Sequence, residues 1–221
     1  MRRLFIAITG LILLSALLAG CTIGNETANK IYNHLEKAVG IEQGFLEYQK
    51  QLIDKEQKEQ DLYKAIVNLK MDKFDEIVSK SKQASDLASE RKRLIQNEKH
   101  VMDQAYEEFA KVKPLAKQLK KDTLQNKAEQ VIEIMDKRHS VYNNLFDDYV
   151  KSIDLDQKLY QMLQNKESKQ EDLAAQVNKI NDIYKDIEKE KQKFNHYTEN
   201  YNNAKKDFYK SAGLTIKGSN N

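Results

Sequence analysis

Cys21 is the single cysteine of this 221-residue chain, and no other residue has a position that indicates its chemistry so clearly. One cysteine cannot form an intrachain disulfide or supply the thiolates of a zinc finger, so both of these classes are excluded. Cys21 directly follows Leu18, Ala19 and Gly20 at the end of an apolar stretch near the N-terminus. The thiol therefore lies at the end of a candidate leader segment.

The first twenty residues predict a secretory signal peptide. Arg2 and Arg3 form a basic start, and an apolar run follows from Leu4 to Leu17, too short to cross a hydrocarbon core of about 30 Å. The end of this segment, residues 18–21, resembles the lipobox of bacterial lipoproteins. The resemblance implies cleavage after Gly20 and a thioether between Cys21 and diacylglycerol. The alternative is an ordinary cleavage site beside a chance cysteine.

Lipidation predicts the location of the mature chain. Two acyl chains are sufficient for stable anchoring, and no later segment approaches 18 consecutive apolar residues, so we expect an anchored protein on the extracytoplasmic face that does not span the membrane. Loss of Arg2 and Arg3 leaves 35 basic residues against 34 acidic ones. This balance gives no electrostatic basis for binding nucleic acid.

Four polar residues, Gln49, Arg91, His139 and Lys191, occupy apolar-seam positions at a similar height, one on each predicted helix. We expect the seam to rotate outward there, so that the long side chains reach water. A buried polar layer that fixes helix register is one alternative. A cavity that accepts an anionic ligand is the other, with Glu98 or the ligand compensating the positive charge.

No catalytic or metal-binding constellation is evident. A ferritin-like site needs two Glu-x-x-His motifs, and the chain offers one approximation, Asp136-x-x-His139. The four histidines fall one per predicted helix at heights that differ by up to about 27 Å, so they cannot share a metal. The span from 45 to 212 contains no glycine and therefore no phosphate-binding loop. We expect a protein without a cofactor that is not an enzyme.

The same glycine-free span predicts an all-α fold, because a sheet protein needs frequent turn residues. Apolar residues recur at alternating steps of three and four in four segments, which indicates an elongated antiparallel up-and-down bundle of four long helices. The alternative is a three-helix bundle with an N-terminal helical arm. Seven tyrosines occupy seam positions and are expected at the core edge with hydroxyls in water: Tyr63, Tyr142, Tyr149, Tyr160, Tyr184, Tyr197 and Tyr201.

The boundaries follow from local signals. We predict a signal peptide over residues 1–20, a lipid-anchored tether over 21–27, the bundle over 28–212 and a flexible tail over 213–221. The third helix is expected to begin near Pro114. The fourth is expected to run from about 169 to 212, with a capping box at Ser168 and Glu171 and a stop at Gly213.

Three segments resemble the YkyA family of Gram-positive lipoproteins: Leu62-Tyr63, the hairpin from Leu69 to Ile77, and Leu159-Tyr160. The resemblance extends over essentially the whole chain and implies a cell-wall-binding role, without functional residues to carry over. Our first hypothesis is a non-enzymatic surface lipoprotein whose helix faces or distal turns contact cell-wall polymer or another surface protein. The alternative is a ligand carrier or chaperone-like binder that uses the polar layer.

Overall fold

The computed structural model describes residues 26–214, and the long elements in this range are all helices. The predicted signal peptide with Gly20 and Cys21, most of the tether, and the tail beyond residue 214 lie outside the described residues. Four long helices confirm the predicted all-α bundle: α1 (Glu26–Val67), α2 (Phe74–Ala110), α4 (Asp122–Leu163) and α5 (Gln170–Ser211), with a short α3 (Val112–Ala116) between α2 and α4.

The first helix is continuous, so the alternative with a separate N-terminal arm is wrong. Gly40 and Gly44 lie inside α1, and its N-terminal side chains Ile31 and Leu35 are buried in the core. The chain leaves the helix after Val67 and forms a short 3-10 turn before α2. Burial of the apolar face of α1 outweighs the helix propensity lost at Gly40 and Gly44, about 1 kcal/mol each.

The chain divides into two compact units, each containing one part of every long helix. In its described part, unit 1 comprises residues 47–99 and 143–191. Small residues of α2 lie fully buried here, Ser81, Ala84 and Ala88 among them. The Ser- and Ala-rich part of this helix therefore packs closely against its neighbours.

Unit 2 comprises residues 26–46, 100–142 and 192–214. Every helix end within this unit contributes side chains to its core. The third long helix begins at Asp122, later than the start predicted near Pro114. Pro114 instead lies in the first turn of α3, where its missing N–H costs no hydrogen bond. Val112 and Leu119 are buried, which fixes this connection to the core.

The ends of α5 show one confirmed and one wrong prediction. Gly213 has φ +71°, and the N–H of Leu214 donates to the Tyr209 carbonyl at 2.9 Å, which is the Schellman stop expected of this glycine. The capping box is not formed, because the Ser168 hydroxyl donates to the carbonyl of Met162 at 2.7 Å. Ser168 thus closes the connection between α4 and α5.

We predict opposite effects for alanine at two glycines. A Cβ at Gly40 would meet nothing within 4 Å, so Gly40→Ala should stabilise the protein by up to about 1 kcal/mol. Gly213→Ala should destabilise it by about 1 kcal/mol, because its positive φ is costly for an L side chain. Urea unfolding of the purified protein, followed by circular dichroism, measures both changes. Equal shifts in the same direction would contradict the continuous helix and the glycine stop.

Candidate functional site

Arg91 projects from α2 into the interior of unit 1 and has no exposed surface. Its Nη1 donates to Glu59 Oε2 at 2.7 Å and to Asp156 Oδ2 at 3.2 Å. Both carboxylates are also fully buried, and the Tyr160 hydroxyl donates to the second oxygen of Glu59 at 2.8 Å. A guanidinium of α2 is therefore paired with acids from α1 and α4.

Two further tyrosines complete the shell around the guanidinium. Arg91 Nε donates to the hydroxyl oxygen of Tyr149 at 3.2 Å, and Nη2 donates to that of Tyr184 at 3.1 Å. Each hydroxyl in turn donates a hydrogen bond to an acid: Tyr149 donates to Glu56 at 2.6 Å, and Tyr184 donates to Asp156 at 3.1 Å. These hydroxyls bind protein groups, so the expectation that they lie in water is wrong for both residues. We call the seven residues the Arg91 cluster: Glu56, Glu59, Arg91, Tyr149, Asp156, Tyr160 and Tyr184.

The electrostatics of the Arg91 cluster favour one protonation state. Burial alone would lower the pKa of Arg91, but the nearby Glu59 carboxylate and the other groups of the cluster outweigh it and raise the pKa well above its ordinary value. Burial raises the pKa of Tyr149 well above the usual range for a phenol. The arginine therefore stays charged and Tyr149 stays neutral, so neither is suited to move a proton near neutral pH.

The expectation that Arg91 reaches water is wrong. Its charge is compensated by Glu59 and Asp156, and not by Glu98, the acid predicted from the sequence. Glu98 instead accepts a hydrogen bond from the amide of Gln49, and both of these residues are buried in unit 1. Lys191 is also largely covered, with 13% of its side chain exposed, and pairs with Glu188 at 2.9 Å. Each of these unit 1 residues has its own partner.

His139, the fourth residue of the proposed layer, belongs to unit 2. Its ring stacks on that of Tyr106, with centroids 3.8 Å apart and planes 2° from parallel. Its Nε2 lies 3.4 Å from Asp103 Oδ1. Gln49, Arg91, His139 and Lys191 thus have separate surroundings, and the layer predicted from the sequence is not a single site.

A second buried arginine lies in unit 2. Arg138 Nη1 and Nη2 donate to the two carboxylate oxygens of Glu42 at 2.7 and 3.2 Å, a bidentate pair. Its Nε donates to Thr198 Oγ1 at 2.9 Å, and the guanidinium carbon lies 4.6 Å from the centroid of Phe194. The pair therefore joins α1, α4 and α5.

A buried carboxylate also organises the end of α2 in unit 2. Glu108 is contacted by Lys111 at 2.6 Å, His34 at 2.7 Å and Lys37 at 3.1 Å. Burial favours its neutral acid, but the hydrogen bonds from these three residues prevail and lower the pKa of Glu108 to about 2. Glu108 is thus ionised at neutral pH and is a lasting partner for Lys111.

Glu56 and Glu59 are not among the site residues predicted from the sequence, because they lie in the wholly polar run from 54 to 61. A signal was available, because the apolar seam of α1 continues through them at steps of four and three: Leu52, Glu56, Glu59, Tyr63 and Ile66. Glu42, the partner of Arg138, lies on the same seam. Acids at such positions predict buried partners of opposite charge.

A shallow groove opens between α1 and α2 in unit 1, with a volume of about 590 Å³. The half-buried side chains of Leu62 and Leu87 form its apolar part. The remaining lining is polar, and includes acids, an amide and a lysine: Lys58, Asp61, Gln83, Asp86 and Glu90. Such a lining can contact an apolar face and bind hydroxyl or amide groups at the same time.

Within residues 26–214, no group of three histidine, cysteine, aspartate or glutamate side chains is placed to hold a metal ion. No helix in this range combines the length and apolar character needed to cross a membrane.

The four long helices and the buried charge pairs between them define an all-α bundle protein. The sequence model of the YkyA family, described as "Putative cell-wall binding lipoprotein", matches residues 26–211. The "Uncharacterized lipoprotein YkyA" of Bacillus subtilis (strain 168) is 34% identical over 218 residues, which covers 99% of this chain and 97% of the relative. The chain therefore belongs to the YkyA family, which confirms the resemblance seen in the sequence.

The fold also occurs in a crystal structure of a conserved protein of unknown function from Staphylococcus aureus. The two structures align with a TM-score of 0.72 over 86% of this chain and 97% of the other. Their sequences are 15% identical, so this likeness concerns the fold alone.

We predict that Arg91→Met lowers the free energy of unfolding by about 3–5 kcal/mol, because it leaves the buried Glu59 and Asp156 carboxylates without a cation. Arg93→Met, a change of the same type at an exposed position, should have an effect within about 0.5 kcal/mol. Urea unfolding of both variants measures the difference.

Adding Glu59→Gln and Asp156→Asn to the Arg91→Met variant should recover part of the lost stability, since it removes the unpaired charges. No recovery would show that the arginine contributes through packing rather than through charge.

Proposed function

We propose that this protein is anchored through a diacylglyceryl group on Cys21 at the extracytoplasmic face of the membrane, and that it binds cell-wall polymer without catalysing a reaction. Membership of the YkyA family is the observation that carries the proposal, because the description of that family reads "Putative cell-wall binding lipoprotein". The residues up to Cys21 support the anchor independently.

The groove between α1 and α2 of unit 1 is the surface that we assign to the polymer. Its volume falls within the usual range of small-ligand sites, about 300–1,000 Å³, although it is open to solvent. Leu62 and Leu87 can contact the apolar face of a sugar ring. Asp61, Gln83 and Asp86 offer acceptors and a donor for hydroxyl and amide groups of a wall glycan.

The bonding of the buried charges supports a non-enzymatic role. Arg91 uses its guanidinium to join four helices through Glu59, Asp156 and Tyr184. Arg138 is similarly committed to Glu42 in unit 2. These groups stabilise the bundle, and their protons are held at fixed positions.

The carrier alternative requires an anion at the predicted polar layer, with Arg91 as its main cation. Glu56, Glu59 and Asp156 already contact that guanidinium, so an incoming anion would meet excess negative charge. This arrangement favours wall binding over an anion-carrying interior.

We predict that the combined variant Gln83→Ala and Asp86→Ala reduces retention on purified cell wall by about thirtyfold, since two hydrogen bonds of about 1 kcal/mol each would be lost. A co-sedimentation assay with the full-length protein measures retention. The combined variant Gln96→Ala and Asp147→Ala changes the same residue types at exposed positions of unit 1 and should bind normally. Unchanged retention of the groove variant would exclude the groove as the binding surface.

We predict that Cys21→Ser abolishes lipidation and either releases the protein or leaves an unprocessed precursor. Cell fractionation and mass spectrometry of the N-terminus measure the two outcomes. Thr22→Ser leaves the thiol in place and should be lipidated normally. Full membrane retention of a processed Cys21→Ser protein would refute the anchor.

A further inference from the structure

The connection between α2 and α4 is the most basic segment of the described chain. Five lysines occur between Glu108 and Asp122, and no acidic residue lies between those two positions: Lys111, Lys113, Lys117, Lys120 and Lys121. The first two are engaged within unit 2, Lys111 with Glu108 and Lys113 with Asp136 at 2.9 Å. The other three carry the charge that the segment presents to its surroundings.

Lys117, Lys120 and Lys121 are exposed, and the backbone that carries them is fixed to the core of unit 2. Ala116 and Leu119, their neighbours in the chain, are buried, and the N–H of Leu119 donates to the Ala116 carbonyl at 3.2 Å. The three ammonium groups are therefore held at one end of the unit by a packed turn.

The same end of unit 2 contains the first turn of α1 and the last turns of α5. Ala28, Leu119 and Phe208 belong to one continuous core cluster, which places the three segments side by side. Lys206 and Lys210 are exposed on the last turns of α5 and add charge of the same sign. We call Lys117, Lys120, Lys121, Lys206 and Lys210 the basic end.

Acidic residues at this end are partly neutralised by other lysines. Glu26 pairs with Lys30 at 2.6 Å, and Asp207 lies 3.8 Å from Lys127. Asp122 follows the turn and offsets one of its charges. The basic end therefore keeps a net positive charge.

The distance along the chain to the proposed lipid is short. Five Cα–Cα steps separate Cys21 from Glu26, which can span at most about 18 Å. An anchor at Cys21 therefore holds this end of unit 2 close to lipid headgroups, where the attraction of a lysine to an anionic surface is strongest.

We propose that the basic end of unit 2 binds the headgroups of anionic phospholipids in the membrane that holds the anchor. This inference rests on the proposed lipidation of Cys21 and adds a second membrane contact to it. Each lysine near an anionic surface strengthens binding about fivefold. Lys117, Lys120 and Lys121 together thus contribute about two orders of magnitude at low salt.

The test uses the lipidated full-length mature protein on vesicles of phosphatidylcholine, with or without phosphatidylglycerol. Gln118 is exposed within the turn, so a dye on the thiol of a Gln118→Cys variant reports its distance to acceptor dyes on lipid headgroups. The thioether at Cys21 leaves this thiol as the one that reacts. We expect greater energy transfer on vesicles that contain phosphatidylglycerol, and loss of that excess at high salt.

Removal of charge tests whether the lysines of the basic end, and not lysines anywhere on the surface, are responsible for attraction to the vesicles. Combining Lys117→Gln, Lys120→Gln and Lys121→Gln should reduce energy transfer to the level seen on phosphatidylcholine alone. The same change at three exposed lysines of unit 1, Lys70, Lys158 and Lys169, should leave it unchanged. Equal transfer on both vesicle types, or an equal loss in the control variant, would overturn the proposal.

Two further measurements separate the possible failures. Flotation with phosphatidylcholine vesicles reports the anchor alone, so a protein that does not float refutes the lipidation. In that case, flotation with phosphatidylglycerol vesicles, and its loss in the triple lysine variant, decides the role of the basic end. Unchanged energy transfer combined with weaker wall retention in the triple lysine variant would assign this surface to an anionic wall polymer and overturn the membrane contact.

Discussion

The charge of Arg91 can be buried in unit 1 only if its acidic partners from other helices are in place. Glu59 comes from α1 and Asp156 from α4, while Tyr184 of α5 provides a further acceptor. Sliding one helix by a heptad would preserve the apolar seam but would leave a charged group buried without its partner, at a cost of several kcal/mol. The apolar residues thus supply the driving force for packing, whereas the Arg91 cluster selects one register.

The same device appears independently in unit 2, where Arg138 of α4 pairs with Glu42 of α1 and with Thr198 of α5. Apolar side chains of similar volume could give comparable or greater stability at such positions. The use of charge at both places therefore points to selection of helix register rather than to maximal stability. Selection of register matters most for long helices, because the repeated apolar seam of one helix can pack against that of its neighbour at several offsets.

The helices could be predicted from the sequence because heptad spacing depends only on residues of the same helix. The pairing of Arg91 could not, because it depends on the offset between helices, and a seam shows which positions face inward without showing what they meet. Glu56 and Glu59 belong to a polar run, which conceals their place on the α1 seam. Pro114 indicated the right turn but the wrong helix start, since a proline is equally acceptable in the first turn of the short α3.

An anchored protein places different demands on its binding surface than a freely diffusing one. A lipid on Cys21 would confine the bundle to the thin layer beside the wall, where the effective concentration of a tethered partner reaches the millimolar range. A groove with millimolar affinity, corresponding to about 4 kcal/mol, would then be substantially occupied. The open groove lined by Leu62, Gln83 and Leu87 fits this requirement better than an enclosed pocket would, because a polymer can enter and leave it along its length. Weak contacts would thus suffice for the proposed wall binding, and the buried charges of unit 1 hold α1 and α2, the two sides of the groove, in register.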